Sequence, residues 1–363
     1  MKAALFSPVA YQGTASPGWP VPADVYSQEA AAHSFSSAIE RFRLADEIGF
    51  DWVTVAEHHF SPFSLTPNPM LLAGALTQVV KRAKIAVLGP TLPMLNPVRV
   101  AEEFAMLDTI TGGRVIAGLM RGTPNEYVTY NINPEESRAR FQEALQLLRM
   151  AWTEPQPFGW QGRHYEFRAI SVWPRPVQKP HPPIYMSGSS PESGEFAAKN
   201  QVGLGFAVTT IPLATKAAAY YREQANIAGW TPTPNDIIYR CGIHVADTDD
   251  QAQADMANLP AQRRFSISNP ALEQAVAGTS YYGRDFEAQR GRVGRPGAIK
   301  DAVENGQILL GSPATVMTQI GRIRDEIGAG ILDLIFMHPT DDKARHAIEL
   351  FGAKVLPRLH EME

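Results

Sequence analysis

Short, continuously apolar runs alternate with longer segments along most of the chain. In the longer segments, apolar residues recur every three or four positions, which is the spacing of one face of a helix. The short runs do not alternate with polar residues, as expected for strands buried on both faces of a parallel sheet. Strands are predicted at residues 3–9, 51–60, 84–92, 114–119, 184–187, 202–209, 237–246 and 331–337.

Each predicted strand is eventually followed by a predicted helix. Two helices begin at Asn68-Pro69 and Asn96-Pro97, because asparagine caps a helix and proline fits its first turn. Helices are predicted at residues 37–49, 68–82, 96–111, 137–152, 192–200, 214–228, 313–327 and 342–359. This number of strand–helix units predicts an α/β fold, a closed (β/α)8 TIM barrel, with an open doubly wound sheet as the alternative.

Residues 247–310 depart from this alternation. We interpret them as an insertion between strand 7 and helix 7 of a single domain spanning residues 1–363. Arginines at 284, 290, 292 and 295 lie among glycines within it. Long loops in compact enzymes are often functional, so a mobile active-site lid is one interpretation. A partner-binding arm and a solvated loop are the others.

Composition and charge exclude several classes of protein. Lys and Arg number 33 against 37 Asp and Glu, a net charge of −4, so no broad basic field is available to bind nucleic acid. Cys241 is the single cysteine, which excludes an intrachain disulfide and a thiolate metal cluster. Neither a signal-peptide pattern nor a run of 18 apolar residues occurs, so we expect a cytoplasmic protein without a membrane partner.

The candidate chemistry lies at the predicted carboxyl ends of the strands, where barrels of this type carry their active sites. The second strand ends in Glu57-His58-His59. Neighbouring residues of a strand point to opposite faces, so at most one of these histidines faces the barrel mouth. The absence of His-x-His spacing argues against a metal site. A single histidine beside Glu57 favours acid–base or hydrogen-bonding chemistry, with a structural histidine as the alternative.

A second candidate site follows the fifth strand, where SGSSP at residues 187–191 opens a helix. Hydroxyl groups and free N–H groups at a helix N-terminus bind anions, and Ser189, Ser190 and Ser193 lie in this turn. Arg121, at the end of the fourth strand, would supply positive charge. Together they predict a phosphorylated cofactor. An ordinary serine cap and a salt bridge at the rim are the alternatives.

These motifs as a set resemble the bacterial luciferase-like flavin-dependent monooxygenases over nearly the whole chain. The similar segments are GFDWVTVAEHHF, NPVRVAEEFAMLDTITGGRV, MRGTPNEY, SRARFQEALQLLRMAW, PPIYMSGSSPESGEFAAKN and GSPATVMTQI. Members of that family are (β/α)8 barrels with an insertion before the seventh helix, and they hold FMN at the carboxyl mouth. The resemblance therefore implies FMN, in its reduced form, as a cosubstrate.

The resemblance also implies roles for individual residues. His58 matches the family's catalytic histidine, with Glu57 supporting the site. The residues implied to bind the cofactor are Arg121, Ser189, Ser190, Ser193, Gly89 and Met120. The family's non-prolyl cis peptide would fall at Leu88–Gly89. Met120 stands where luciferase has a cysteine, so the flavin environment is expected to differ.

The implied reaction joins reduced FMN and O2 in a flavin hydroperoxide, which transfers one oxygen atom to an organic substrate. A separate reductase would supply the reduced flavin, because the chain has no nicotinamide-binding fingerprint. Several large apolar residues indicate an apolar pocket, namely Phe60, Phe63, Met94, Met120 and Trp160. Such a pocket suits an aldehyde, a ketone, a terpene or an alkane-like substrate. The family commonly pairs through the helices at 68–82 and 96–111, which implies a homodimer.

Three other functions remain open. A deazaflavin (F420)-dependent oxidoreductase on the same barrel would transfer hydride and ignore O2. A flavin-storing or regulatory homologue would bind flavin without turnover, although His58 and Arg121 are both present. A metal-dependent hydrolase is disfavoured by the missing His-x-His spacing.

Overall fold

The computed structural model describes residues 1–14, 19–207, 209–257, 259, 279, 299–338 and 340–362. Its strands are β1 (Lys2–Phe6), β2 (Trp52–Val55), β3 (Lys84–Thr91), β4 (Val115–Met120), β5 (Phe158–Gln161), β6 (Glu166–Ile170), β7 (Ile184–Ser187), β8 (Gly203–Ala207), β9 (Ile237–Val245), β10 (Ile308–Gly311) and β11 (Ile331–Phe336). Its helices are α1 (Gln28–Ile48), α2 (Pro69–Leu76), α3 (Pro97–Thr111), α4 (Pro124–Thr129), α5 (Ser137–Thr153), α6 (Pro191–Lys199), α7 (Ile211–Ile227), α8 (Asp249–Ala257), α9 (Ile299–Glu304), α10 (Pro313–Ile327), α11 (Asp341–Lys354) and α12 (Leu356–His360).

Eight parallel strands close into a barrel, in the order β1, β2, β3, β4, β7, β8, β9 and β11, and β11 pairs with β1 to complete the circle. The predicted (β/α)8 TIM barrel is confirmed, and the open doubly wound sheet is excluded. Strand β10 joins the outside of this circle by pairing with residues 242–245 of β9, beyond residues 237–240 that pair with β8.

Alternation along each barrel strand separates two apolar layers. In β1, Ala4 belongs to a small inner cluster, whereas Ala3 and Leu5 belong to the large cluster shared with the surrounding helices. In β2, Trp52 is inside and Val53 outside in the same way. Burial on both faces explains why these strands appear in the sequence as continuous apolar runs.

Several predicted boundaries are wrong. Strand β2 ends at Val55, so residues 56–60 form a loop rather than a strand. Helix α1 begins at Gln28, nine residues before the predicted start, with Ser27 as its cap. Helix α2 stops at Leu76, because the following turn is held by Asp46, which accepts backbone hydrogen bonds from Lys81 and Arg82 at 2.9 Å each.

Outside residues 247–310, one hairpin and one short helix were not predicted. Strands β5 and β6 form an antiparallel hairpin inside the proline-rich stretch that follows α5. The short helix α4 lies directly after β4, in a segment predicted to be a loop, and it carries a residue of the candidate site. Both elements are too short to give a clear periodic signal in the sequence.

The predicted insertion at residues 247–310 is described only in part. Helices α8 and α9 and strand β10 belong to it. The arginines at 284, 290, 292 and 295 lie outside the described residues, so the interpretation of this segment as a lid remains a prediction. Among the described helices, none is long and apolar enough to cross a membrane.

Candidate functional site

A cavity of about 270 Å³ opens where the barrel strands end at their carboxyl termini. Four residues predicted for the site line this cavity, namely Glu57, His58, Gly89 and Met120. The remaining four predicted residues, Arg121, Ser189, Ser190 and Ser193, do not belong to its lining. The carboxyl ends of β2, β3, β4 and β7 therefore contribute to one space, as the parallel barrel requires.

The loop after β2 holds the His58 imidazole in the cavity wall. The backbone N–H of His58 donates to the carbonyl of Thr66 at 3.2 Å, and the Thr66 hydroxyl donates to the Ala56 carbonyl at 2.7 Å. The Phe63 ring packs edge-on against the imidazole, with the ring centres 5.3 Å apart. Within the described residues, Nδ1 of His58 has no hydrogen-bond partner. The imidazole is held by packing and by its backbone, with Nδ1 buried. Because the described residues provide no hydrogen bond to Nε2, this nitrogen is the one available to a bound molecule.

The carboxylate nearest to His58 belongs to Glu126 in helix α4. Its Oε1 lies 3.9 Å from His58 Nδ1, an electrostatic contact longer than a hydrogen bond. Its other oxygen accepts from the backbone N–H and the hydroxyl of Thr123, which closes a capping box at the start of α4. Burial alone would raise the pKa of Glu126, but the contacts with His58 and Thr123 outweigh it and hold the pKa below its ordinary value.

Glu126 was missed by the sequence analysis, although a signal for it exists. Thr123 and Glu126 stand three residues apart, with proline at the first helical position between them, which is the pattern of a capping box. That pattern predicts a helix start immediately after the fourth strand. A carboxylate in the first turn of such a helix would then lie at the barrel mouth.

Glu57 supports His59 rather than His58. Its Oε1 accepts from His59 Nε2 at 3.2 Å and also from the Thr91 hydroxyl. Nδ1 of His59 lies 3.3 Å from the Tyr130 hydroxyl. Burial, then the charges of Glu57 and Glu126, raise the pKa of Tyr130, so its hydroxyl remains a donor at neutral pH. We therefore assign the His59 proton to Nε2, facing Glu57.

As predicted, one of the two histidines faces the cavity, but the predicted cause is wrong. The strand has already ended at Val55, so the alternation of a strand does not apply here. His59 is instead drawn away from the cavity by its bonds to Glu57 and Tyr130, and it is only 4% exposed.

Arg121 lies at the rim beside the cavity. Its neighbours Met120 and Gly122 both line the cavity, and its Nη1 donates to the Ser137 hydroxyl at 3.4 Å. A second guanidinium, that of Arg138, lies within electrostatic reach. Burial, and then the positive charge of Arg121, lower the pKa of Arg138, while Glu192 in the first turn of α6 acts in the opposite direction. Two positive charges, partly balanced by Glu192, therefore lie near the start of α6, and this net positive charge favours an anion.

The start of helix α6 has the predicted form. Ser190 is the N-cap, and its hydroxyl accepts from the backbone N–H of Ser193 at 3.3 Å. The chain reaches this point directly from the cavity, because Ser187 lines the cavity and Gly188 follows it. A Cβ on Gly188 would lie 2.5 Å from the Cβ of Ser193, so only glycine fits this tight turn. The exposed Ser189 completes the turn.

Gly89 lies against the loop that carries His58. A Cβ at this position would lie 2.8 Å from the backbone nitrogen of Glu57, so a side chain is excluded. The register of β3 with β4 shifts between Leu88 and Thr91, so the backbone between these residues is not regularly paired with β4. The expected cis peptide at Leu88–Gly89 is wrong, since every cis peptide among the described residues precedes a proline.

The far side of the cavity carries a charged pair that the sequence analysis also missed. Arg240 of β9 donates through Nε to Asp333 Oδ2 of β11 at 2.6 Å, and its guanidinium lies 3.9 Å from the centre of the Phe6 ring. Both charged residues and Phe6 line the cavity. The signal was a single charge inside each of two apolar strands, IIYRCGIHV and ILDLIF.

Of the apolar residues proposed for a pocket, Phe63 and Met120 line the cavity. Phe60 is exposed instead, and Trp160 lies on the β5–β6 hairpin, where it donates to Glu143. In the described part of the chain, no three His, Cys, Asp or Glu side chains are arranged to hold a metal ion.

Comparisons with known proteins give a consistent result. A family model described as luciferase-like monooxygenase matches residues 17–330. The oxygenase component of flavin-dependent trigonelline monooxygenase from Acinetobacter baylyi is 26% identical over 236 residues, 63% of this chain and 64% of that protein. The alkanal monooxygenase alpha chain of Photorhabdus luminescens is 31% identical over 159 residues, 44% of each chain. The matched regions thus span about half to two thirds of these curated relatives.

Solved structures share the fold along nearly the whole chain. Monooxygenase RslO1 from Streptomyces bottropensis superposes with a TM-score of 0.79 at 25% identity, covering 99% of both chains. The FMN complex of the oxygenating constituent of 3,6-diketocamphane monooxygenase from Pseudomonas putida gives 0.77 at 22%, covering 99% and 98%. An F420-dependent secondary alcohol dehydrogenase gives 0.69 at 18%, covering 99% and 98%.

Proposed function

The chain belongs to the luciferase-like monooxygenase family. From that premise we propose that it is an FMN-dependent monooxygenase that receives reduced FMN from a separate reductase and uses O2 to transfer one oxygen atom to a small organic substrate. The observation that carries this proposal is one cavity lined by His58 and by both neighbours of Arg121. A histidine whose ring makes no hydrogen bond within the described residues and a cationic anion site thus border the same space.

The residues around Arg121 suit the phosphate of FMN. Arg121 and Arg138 supply positive charge, and the start of α6 supplies backbone N–H groups beside the hydroxyls of Ser190 and Ser193. A phosphate dianion accepts charge-assisted hydrogen bonds from such groups. Ser189 is proposed as a further contact because it lies in the same turn.

The cavity suits the flat ring system of the same cofactor. Met120 and Glu57 line it, together with Gly89, where the absence of a side chain leaves the backbone open. When bound in its reduced form, FMN supplies the electrons that activate O2. The apolar part of the lining disfavours water, which would protect reactive species from hydrolysis and uncontrolled protonation.

His58 is proposed as the catalytic histidine that donates or accepts one proton at the cavity face. Glu126 orients it through the 3.9 Å contact to Nδ1. Glu57 acts indirectly, because its bonds to His59 and Thr91 fix the backbone that carries His58.

The separate reductase is supported by one relative, which is the oxygenase component of its monooxygenase. A homodimer is proposed through α2 and α3, where the large apolar side chains of Leu71, Met106 and Ile110 are 75%, 49% and 54% exposed. Sedimentation equilibrium should give twice the chain mass of 39.8 kDa. A concentration-independent monomer would contradict the dimer.

The function is tested by supplying photoreduced FMN without any reductase and following O2 uptake with a panel of ketones, aldehydes and terpenes. We expect substrate-dependent O2 uptake above the rate of free reduced flavin, and one ¹⁸O atom from ¹⁸O2 in the product by mass spectrometry. Substrate-independent uptake, with no labelled product from any panel member, would contradict a monooxygenase.

The F420-dependent alternative is kept because an F420-dependent dehydrogenase shares the fold. It is separated by a parallel anaerobic arm with oxidised F420 and secondary alcohols. Bleaching of F420 absorbance without a requirement for O2 would favour hydride transfer. We expect no bleaching in this arm.

A further inference from the structure

A charged pair lies inside the barrel, where apolar side chains are the rule. Arg240 and Asp333 are direct partners in the register between β9 and β11. Asp333 is 1% exposed, and Arg240 is held between its carboxylate and the face of the Phe6 ring. The neighbouring interior positions are apolar, among them Ala4, Ile238 and Ile331.

A buried ion pair of this kind is seldom the source of a fold's stability. Burying two charges has a large desolvation cost, and replacing a buried ion pair by apolar residues of similar volume is often neutral or stabilising. Barrel interiors are ordinarily filled by branched aliphatic residues. The pair therefore points to a ligand rather than to stability.

The pair is also incompletely satisfied by the protein. Across the described residues, Nε of Arg240 bonds to Asp333, but Nη1 and Nη2 have no hydrogen-bonding partner. The Oδ1 atom of Asp333 is buried and equally without a partner. Both residues line the cavity that contains His58. Donors of a guanidinium thus border an apolar space large enough for a small molecule.

The position of the pair separates it from the proposed cofactor phosphate. Arg121 follows β4, and two strands, β7 and β8, lie between it and Arg240 on β9. Three strands lie between β4 and β11, which carries Asp333, in either direction around the barrel. A cofactor held at its phosphate by Arg121 and the start of α6 would lie on the side of the barrel formed by β4 and β7. The arc of β9, β11 and β1 remains for the second reactant.

We propose that Arg240 is a specificity-determining residue that binds an acceptor oxygen, a carbonyl or carboxylate, of the organic substrate. Asp333 is a positioning residue that fixes the guanidinium. The proposal rests on the proposed function for the identity of the bound molecule as substrate. It narrows the substrate class from apolar molecules in general to oxygen-bearing ones, since a pure hydrocarbon leaves the guanidinium unsatisfied.

The test uses two probes that differ only in the oxygen, 2-acetylnaphthalene and 2-ethylnaphthalene, whose binding is measured by equilibrium dialysis. The proteins are the wild type, Arg240→Met and the double variant Arg240→Met/Asp333→Leu. The double variant removes the charge pair as a unit, so that no uncompensated buried charge unfolds the barrel. Arg345→Met is the matched control, because Arg345 pairs with Glu349 in the same way on the surface.

We expect the wild type and Arg345→Met to bind the ketone at least about tenfold more tightly than the hydrocarbon, the effect of one charge-assisted hydrogen bond. In the double variant this preference should fall to within about twofold. Equal binding of both probes by the wild type, or an unchanged preference in the double variant, would overturn the proposal.

FMN affinity, measured in parallel by flavin fluorescence, distinguishes substrate recognition from cofactor binding. We expect it to be unchanged in the double variant. A loss of FMN affinity there would assign Arg240 to the cofactor and overturn the proposal. Probe binding and FMN binding can both be measured even if the protein shows no substrate-dependent O2 uptake. A failure of this inference can therefore be distinguished from a failure of the proposed function.

Discussion

His58 and His59 are neighbours in the chain, but they lie in opposite settings. His58 lines the cavity, packs on Phe63 and has an Nδ1 with no hydrogen bond from the described residues. His59 is turned into the protein, with one nitrogen on Glu57 and the other on Tyr130. Each histidine also has its own carboxylate, Glu126 for the first and Glu57 for the second.

This difference indicates that His58 acts on a bound molecule, whereas His59 stabilises the fold. A side chain whose hydrogen bonds are satisfied by the protein stabilises the fold and has no bond to offer a ligand. A side chain that lines a cavity and makes no hydrogen bond within the protein can still bind a ligand. The comparison predicts that mutations of the two histidines act on different properties of the protein.

The largest effect is expected for His58→Ala. Turnover at saturating reduced FMN should fall by about 10²- to 10⁴-fold, the usual contribution of a general acid or base. The free energy of unfolding should fall by less than in His59→Ala, because the His58 ring makes no hydrogen bond within the described residues. Single-turnover product formation and urea unfolding measure the two.

His33→Ala is the control for this variant, since His33 also faces a carboxylate, that of Asp341, at the surface. It should retain wild-type turnover. If His58→Ala turns over as fast as the control, the assignment of His58 as catalytic is wrong.

The next effect is expected for His59→Ala, and it should be on stability. Removing the ring leaves Glu57 and Tyr130 without their shared partner and opens a cavity, which should lower the free energy of unfolding by about 3 kcal/mol. His59→Gln, which can still bond to one of the two, should recover part of that loss. If His59→Ala is as stable as the wild type in urea unfolding, the structural role assigned to His59 is wrong.

The smallest effect is expected for Glu126→Gln, and it should depend on pH. The pKa of Glu126 is lowered in the folded protein, so its carboxylate stabilises the fold above the ordinary glutamate pKa of about 4.3. This stability is lost as the pH falls through the folded-state pKa. The variant should therefore be less stable than the wild type by about 1 kcal/mol at pH 7.

The stability difference between wild type and Glu126→Gln should shrink on acidification, measured by urea unfolding at pH 7, 5 and 4. The exposed Glu349→Gln serves as the control and should show no such trend. A difference that stays constant over this range would show that the charge of Glu126 does not contribute to stability.

The barrel and half of the site were predictable from the sequence. Strands buried on both faces give continuous apolar runs, and their carboxyl ends locate His58 and Arg121 without any coordinates. What the sequence did not show was pairing between distant residues. Glu126 and Tyr130 reach the histidines through helix α4, which is too short to be periodic, and Arg240 meets Asp333 only because β9 and β11 are neighbours in the closed barrel.

The central claim is that the cavity beside His58 holds a flavin by its phosphate at Arg121. The most direct measurement is the affinity for FMN against that for riboflavin, which lacks the phosphate, by fluorescence titration of wild type and Arg121→Met. FMN should bind the wild type about 100-fold more tightly than riboflavin, and Arg121→Met should lose most of that preference. Equal affinities in the wild type, or a preference that survives in Arg121→Met, would contradict the claim.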